Sequence, residues 1–393
     1  MLEVGVGRSQ DTIPEMAIDQ AYNQALSAMH GEAPRLAILL ASPTRYDQTR
    51  LLMQMKLRLP DAAVVGCSTS GEISHLGVAD NSVVMMLMGG DEELKFVTAR
   101  GENMSEDAYA CGKQFADRLL QLGESPPKAV LLFPDGLAGN GAQLMCGVTE
   151  TLGQDTLVAG GSAGDDFEFK QTYQYLNNEL LTNSVVGVGI YGNFQFGLGV
   201  RHGWMPIGIP RTVTKSKDNI VYELDGKPAI EIYNDQFGEE TIIIPGEPFA
   251  KLAITYPLGI ELDGHQEFLI RDPLEVTDEG GIKCAAEIQE GSQVYVMIGG
   301  AVEAINAAEL AANQAKARLG NKTPKAAVLF NCIARKKILL DRKHEELDKI
   351  KFVLGDVPLI GFYTYGEQAS TGFSEAVGCS FHNETDVIFL IAE

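Results

Sequence analysis

The chain is short of basic residues, of cysteine and of long apolar runs, and each shortage excludes something. Thirty-one Lys and Arg stand against 53 Asp and Glu in 393 residues, a net charge of −22. Such a surface repels phosphate backbones and anionic lipid, so neither nucleic acid nor a membrane is an expected partner. No apolar run approaches the roughly 20 residues that span a bilayer. The opening MLEVGVGRSQD lacks the basic start and apolar core of a signal peptide, and a cytoplasmic protein is expected. The six cysteines, at 67, 111, 146, 284, 332 and 379, form no CxxC pair and no zinc spacing, which fits reduced, mostly buried thiols. No Walker A sequence is present, so nucleotide hydrolysis has no visible apparatus.

What is present is an ordinary globular composition, 45% apolar and 21% charged, in a length suited to two or three domains. An internal repeat organises it. LAILL (36–40), AVLLF (129–133) and AVLF (327–330) are apolar runs of buried-strand length. A helical segment follows each, then a second apolar run that ends in a glycine turn: AAVVGCSTSGEI (62–73), TLVAGGSAGDDF (156–167) and PLIGFYTYGEQA (358–369). A third run closes each unit, at 82–88, 184–192 and 386–392. Upstream, VGVGRSQ (4–10), FVTARGE (96–102) and VYVMIGG (294–300) each read as a strand leading into an alanine-rich amphipathic helix, with Asp11 and Ser105 as expected N-caps. Repeated strand-helix-strand-helix-strand-turn-strand units give a layered α/β (α+β) architecture. The stretch from about 200 to 290 differs, with prolines, a hairpin signal, a helix candidate near 228–237 and successive antiparallel strands; it reads as a degenerate fourth unit with insertions. The expected domains are 1–200, with two units, and 201–393, with the degenerate unit and the third clear one.

These residues resemble a known family. GCSTSGEI (66–73) and GGSAGDD (160–166) are similar to the glycine turns of the FIST N-terminal domain. PIG (206–208), TVTKSKDNIVYELDGKPA (212–229), GFYTYGEQA (361–369) and FHNET (381–385) resemble the FIST C-terminal domain. The resemblance spans nearly the whole chain. It implies an intracellular sensory module of bacterial signal transduction. Within it, two-domain members of this size include the nitric-oxide-sensing NosP proteins, which bind haem b and regulate a partner histidine kinase or cyclic-di-GMP enzyme. A FIST sensor for another, amino-acid-like small molecule fits the same resemblance.

Strand ends in open α/β sheets are where ligands are usually held, and the three turns share glycine, small polar residues and an acid. The ligand-binding candidates are Cys67, Ser68, Thr69 and Glu72; Ser162, Asp165 and Asp166; and Tyr363, Tyr365 and Glu367. The competing structural reading is that glycine serves a turn at positive φ while the acids cap backbone. GGSAG (160–164) matches G-x-S-x-G, but DDFEFKQTYQYL reads as turn then strand where a nucleophile elbow needs a helix. A serine hydrolase through Ser162 is the enzymatic alternative, and no catalytic residue is assigned. GVGIYG (187–192) matches G-x-G-x-x-G but lies inside a closing strand. Haem iron most often takes an axial imidazole. Of the six histidines, His202 in RHGW is the first iron candidate and His382 in FHN the second; His75 follows the first glycine turn, and His265 occupies the turn LDGHQE. RKKILLDRKHEELDK (335–349) reads as an exposed helix with opposite charges at i,i+4 spacing.

Overall fold

The computed structural model describes residues 2–90, 94–153, 155–238, 255–261, 268–370 and 381–393; His265 and Cys379 lie outside them. The expected units are there. The first contributes β1 (Glu3–Ser9), β2 (Pro34–Ala41), β3 (Ala63–Ser68), a hairpin of β4 (Glu72–Ser74) and β5 (Gly77–Ala79), and β6 (Val83–Gly89). The second repeats the order with β7 (Lys95–Glu102), β8 (Ala129–Pro134), β9 (Leu157–Gly161), the hairpin β10 (Gln174–Leu176) and β11 (Glu179–Leu181), and β12 (Ser184–Tyr191). In each, helices follow the first and second strands, at Pro14–Ser27 and Gln48–Arg58, then at Ala108–Gly123 and Gly141–Leu152.

The third unit departs from the expected start. Its first strand is β13 (Gln195–Arg201), which pairs with the closing strand, and its first helix is Ala301–Arg318. Between them runs an inserted sheet, so the stretch read as a degenerate fourth unit is an insertion in the third. The inserted strands are β14 (Met205–Lys217), β15 (Ile220–Leu224), β16 (Lys227–Pro228), β17 (Leu258–Glu261), β18 (Phe268–Arg271), β19 (Pro273–Val276), β20 (Ile282–Cys284) and β21 (Gln293–Ile298). VYVMIGG, taken as the start of the unit, is β21 and lies between β17 and β14 in that sheet. It misleads because a buried strand just before a helix reads the same whichever sheet it joins. The unit ends with β22 (Pro324–Cys332), β23 (Leu359–Thr364), the hairpin β24 (Glu367–Ala369) and β25 (Phe381–His382), and β26 (Asp386–Ala392).

The hairpins are exchanged. The three six-stranded sheets run β1-β6-β2-β3-β10-β11, β7-β12-β8-β9-β24-β25 and β13-β26-β22-β23-β4-β5, so each unit's hairpin completes another unit's sheet in cyclic order. The arrangement is pseudo-threefold. One set of inner faces, among them Leu36, Ile38, Phe133, Val186, Phe330 and Phe389, forms a shared core, while the outer faces pack under each unit's own helices. Where hairpin and sheet cross, Gly66, Gly160 and Gly361 stand opposite Leu39, Leu132 and Leu329, whose carbonyl oxygens would collide with any Cβ. This close backbone approach fixes the glycine of each turn.

Two local expectations shift. Asp107, not Ser105, caps the helix Ala108–Gly123, accepting from Ala110 N. Asp11 accepts from Ile13 N just ahead of its helix and is not the cap. The charged run 335–349 is not a single exposed helix: it bends at Leu340 (φ +49°) and carries Arg335 into the core, paired with Glu346 at 2.6 Å.

Candidate functional site

The three glycine turns meet at one end of the shared core and bond to one another in a ring. Gly164 N donates to Ser68 O (3.0 Å), Tyr365 N to Ser162 O (3.1 Å), Ser162 N to Gly366 O (2.8 Å), Ser70 N to Tyr363 O (3.2 Å) and Tyr363 N to Gly71 O (2.9 Å). The N–H groups that a loose turn would offer a ligand thus close the end of the core.

The side chains of the first turn follow suit. Cys67, Ser68, Thr69 and Glu72 are buried. Ser68 Oγ donates to Gly164 O (2.8 Å) and accepts from Tyr173 N (2.9 Å). Glu72 accepts from Thr69 Oγ1, and from Ser82 N (3.0 Å) and Oγ (2.5 Å). The third turn repeats the staple: Thr364 Oγ1 donates to Glu367, which also accepts from Thr385 N (3.1 Å). Burial raises both acids, Glu72 to about 8 and Glu367 well above the carboxylate range. Tyr363 is fully buried.

The second turn breaks the pattern. Ala163 stands where the others carry threonine, and Gln174 where they carry glutamate. Ten residues (164–173) separate these two, against two (70–71) in the first turn. Asp165 organises the added loop, accepting from Phe169 N (2.9 Å), Lys170 N (2.6 Å), Gln171 N (3.0 Å) and Tyr365 Oη. Asp166 ties it to the first unit through Ser42 Oγ (2.8 Å) and Thr44 Oγ1 (2.6 Å). Asp166, Phe167 and Phe169 hold φ of +57°, +68° and +50°, a conformation that bulky side chains rarely adopt and that surrounding contacts must enforce. Phe169 stacks on Tyr365 at 5.0 Å between centroids and is 61% exposed.

Beneath these rings is a cleft of about 450 Å³ between the strand ends of the second and third units and the inserted sheet. The core side supplies Asp135, Ser162, Phe167, Cys332, Tyr365 and Asn383, and the insert supplies Asn219, Asp272, Leu274 and Lys283. Of the sequence candidates, Ser162 and Tyr365 line it, and Asp165 holds its loop. Asp272 and Asp135 carried no recognisable motif; Asn383 lies inside the FHNET segment (381–385), where the sequence drew attention to His382 instead.

Arg271 fastens the insert to the core. Its guanidinium is buried and donates to the carbonyls of Ile270 (3.0 Å), Phe381 (2.9 Å) and Glu287 (3.1 Å). The adjacent Asp272 is raised to about 7, chiefly by burial, and faces Glu384, which burial and Asp272 push well up. The two carboxyls are close enough to interact. Even so, Asp272 Oδ1 and both Glu384 oxygens lack a hydrogen bond of normal geometry to any described residue, and Asn383 Oδ1, in a side chain 2% exposed, lacks one too. Asp135 is already committed, accepting from Leu137 N (2.9 Å), Thr172 Oγ1 (2.7 Å) and Asn183 N (2.7 Å).

Neither histidine named for iron lines the cleft. Both are buried, and burial drives each down to about 3, so both rings are neutral. His202 Nδ1 accepts from Trp204 N at 2.9 Å, which puts the ring proton on Nε2. His382 sits in the exchanged hairpin opposite Glu367. The arrangement does not fit an iron held in the cleft by either imidazole. Ser162 likewise lacks the surroundings of a nucleophile: no helix follows it, and its Oγ accepts from the Gln368 amide (2.8 Å), which is no base.

The FIST N domain model matches residues 35–227 and the FIST C domain model residues 229–370. An uncharacterised protein of Mycobacterium bovis is 26% identical over 379 residues, covering 93% of this chain and 94% of its own. An uncharacterised protein of Methanocaldococcus jannaschii is 27% identical over 284 residues, 67% of this chain and 54% of its own. Among solved structures, a cyanuric acid hydrolase from A. caulinodans aligns over 100% of this chain and 99% of its own, with a TM-score of 0.38 and 7% identity.

Proposed function

The chain belongs to the FIST family, and on that premise we propose that it senses a small molecule bound in the cleft between the second glycine turn and the inserted sheet. FIST domains are small-molecule-binding sensor domains of signal-transduction proteins. The observation that carries the assignment to this cleft is Asn383, a buried side chain with an unpartnered oxygen in a cavity whose wall sets a few polar groups among aromatic and aliphatic ones. Buried polar atoms are normally paired, and ligand pockets set a few of them in an apolar wall. Arg271 and the Asp272–Glu384 pair join the insert to the core beside the cleft, so a bound molecule bears on how the two are held. That junction is the proposed origin of the signal passed to a partner, for which a histidine kinase or a cyclic-di-GMP enzyme is the family-based candidate.

The test is a thermal-shift screen of metabolites on the full chain, with a parallel hemin titration read by absorption before and after reduction and nitric oxide. A compound at 100 times its Kd should stabilise the protein by about 2.7 kcal/mol, and Asn383→Leu should remove the shift. A stoichiometric Soret band that responds to nitric oxide and is lost in His202→Ala or His382→Ala would make haem the sensing group. No saturable shift from any compound, hemin included, would overturn the reading.

A further inference from the structure

We propose that the cleft selects an amphipathic amine, its protonated nitrogen held by Asp272 and Asn383 and its apolar body lying against Phe169 and Tyr365. This rests on the cleft being the ligand site and names the ligand's chemistry. Three features of the lining carry it.

Two buried acceptors at the cleft, Asp272 Oδ1 and Asn383 Oδ1, lack a hydrogen bond of normal geometry to any described residue. A ligand that donates satisfies both, whereas a carboxylate or phosphate would meet two more acceptors. Several donors near the cleft are already in use. The backbone N–H groups of Ser162 and Tyr365 point to other turns, Arg271 is bound to three carbonyls, and Lys283 at the rim faces Glu275 at 3.8 Å.

The Asp272–Glu384 pair feels two buried guanidiniums, Arg271 acting on Asp272 and Arg335 on Glu384. Two adjacent carboxyls, Glu384 buried and Asp272 half-buried, hold a proton that an arriving ammonium can displace to solvent, leaving a carboxylate against the cation. Glu367, Cys332 and Cys284 also lie within electrostatic reach of Asp272, and burial keeps each of them protonated.

The aromatic wall already takes an ammonium group. Lys337 Nζ lies 4.0 Å from the centroid of Phe167, within the range of cation–π attraction, and the stacked pair Phe169 and Tyr365 extends the same surface toward solvent. A net charge of −22 draws cations toward the protein as a whole.

The experiment is isothermal titration of the full chain with phenethylamine, tryptamine and hexylamine, each against its carboxylate and alcohol counterpart, and with phenylalanine. The amines should bind saturably at pH 7.5, and at least tenfold more tightly than their counterparts or phenylalanine. Asp272→Asn and Asn383→Leu should each weaken amine binding tenfold or more. Phe169→Ala, at an exposed position where folding is not at stake, should weaken it several-fold. If the carboxylates, alcohols or phenylalanine bind as tightly as the amines and Asn383→Leu removes that binding, the cleft stands and the amine proposal falls. If no compound in this panel or in the metabolite screen binds, both fall.

Discussion

The first and third glycine turns can be set beside the second, because the pseudo-threefold fold places them equivalently. In the first and third, a threonine and a backbone N–H satisfy a buried glutamate, and the turn is closed. In the second, the threonine and glutamate are gone, and a longer loop carries Phe167 and Phe169 in left-handed backbone beside a cleft. Where the repeat is kept, polar residues hold the fold together; where it is broken, they are left for something else.

Breaking the retained part should cost most. Arg335→Ala removes the guanidinium from the buried pair with Glu346 and should cost about 3 to 5 kcal/mol, since it strands an uncompensated carboxylate. Urea unfolding followed through Trp204, the single tryptophan and a buried one, measures this. Next comes a test at one equivalent position in two turns. Ser68→Ala should cost about 1 to 3 kcal/mol, because it leaves Gly164 O and Tyr173 N without a partner. Ser162→Ala should cost less than about 1 kcal/mol, because only the Gln368 amide loses an acceptor. Equal losses would erase the distinction between the turns.

The retained glutamates also predict a pH dependence. Glu72 holds its proton in the folded state up to about pH 8, whereas the unfolded chain releases it in the ordinary carboxylate range. Its contribution to stability is therefore complete below the unfolded value and lost as pH rises through about 8. Glu72→Gln should shrink the fall in urea midpoint between pH 5 and pH 8. The most local effect is expected for Tyr365→Phe, which deletes the hydroxyl joining Asp165 to Phe167 N. A loss of about 1 kcal/mol should come with faster amide exchange confined to 166–171.

The repeat was legible because burial writes periodicity: the strand runs and glycine turns recur in sequence as they do in space. The hairpin exchange was not legible, since β4, β10 and β24 carry only three residues each and nothing in three residues names a partner sheet. The third unit's first strand was missed because an insertion separates it from its helix. In the site, the turns drew attention to Ser162, Asp165 and Tyr365. Ser68, Thr69 and Glu72 share the same local pattern, yet the ring of turn-to-turn hydrogen bonds buries them. Asp272 and Asn383 acquire meaning only when the inserted sheet folds back over the strand ends.

The central claim is that the ligand binds where the repeat is broken. Hydrogen–deuterium exchange of the full chain, with and without a saturating hit from the thermal-shift screen, tests it most directly. The account predicts slowed exchange at 136–141, 164–173, 272–274 and 381–385, with no change at 56–64. Protection confined instead to 56–64 and 177–178, which line a separate hollow of about 350 Å³ at the edge of the first sheet, would contradict it.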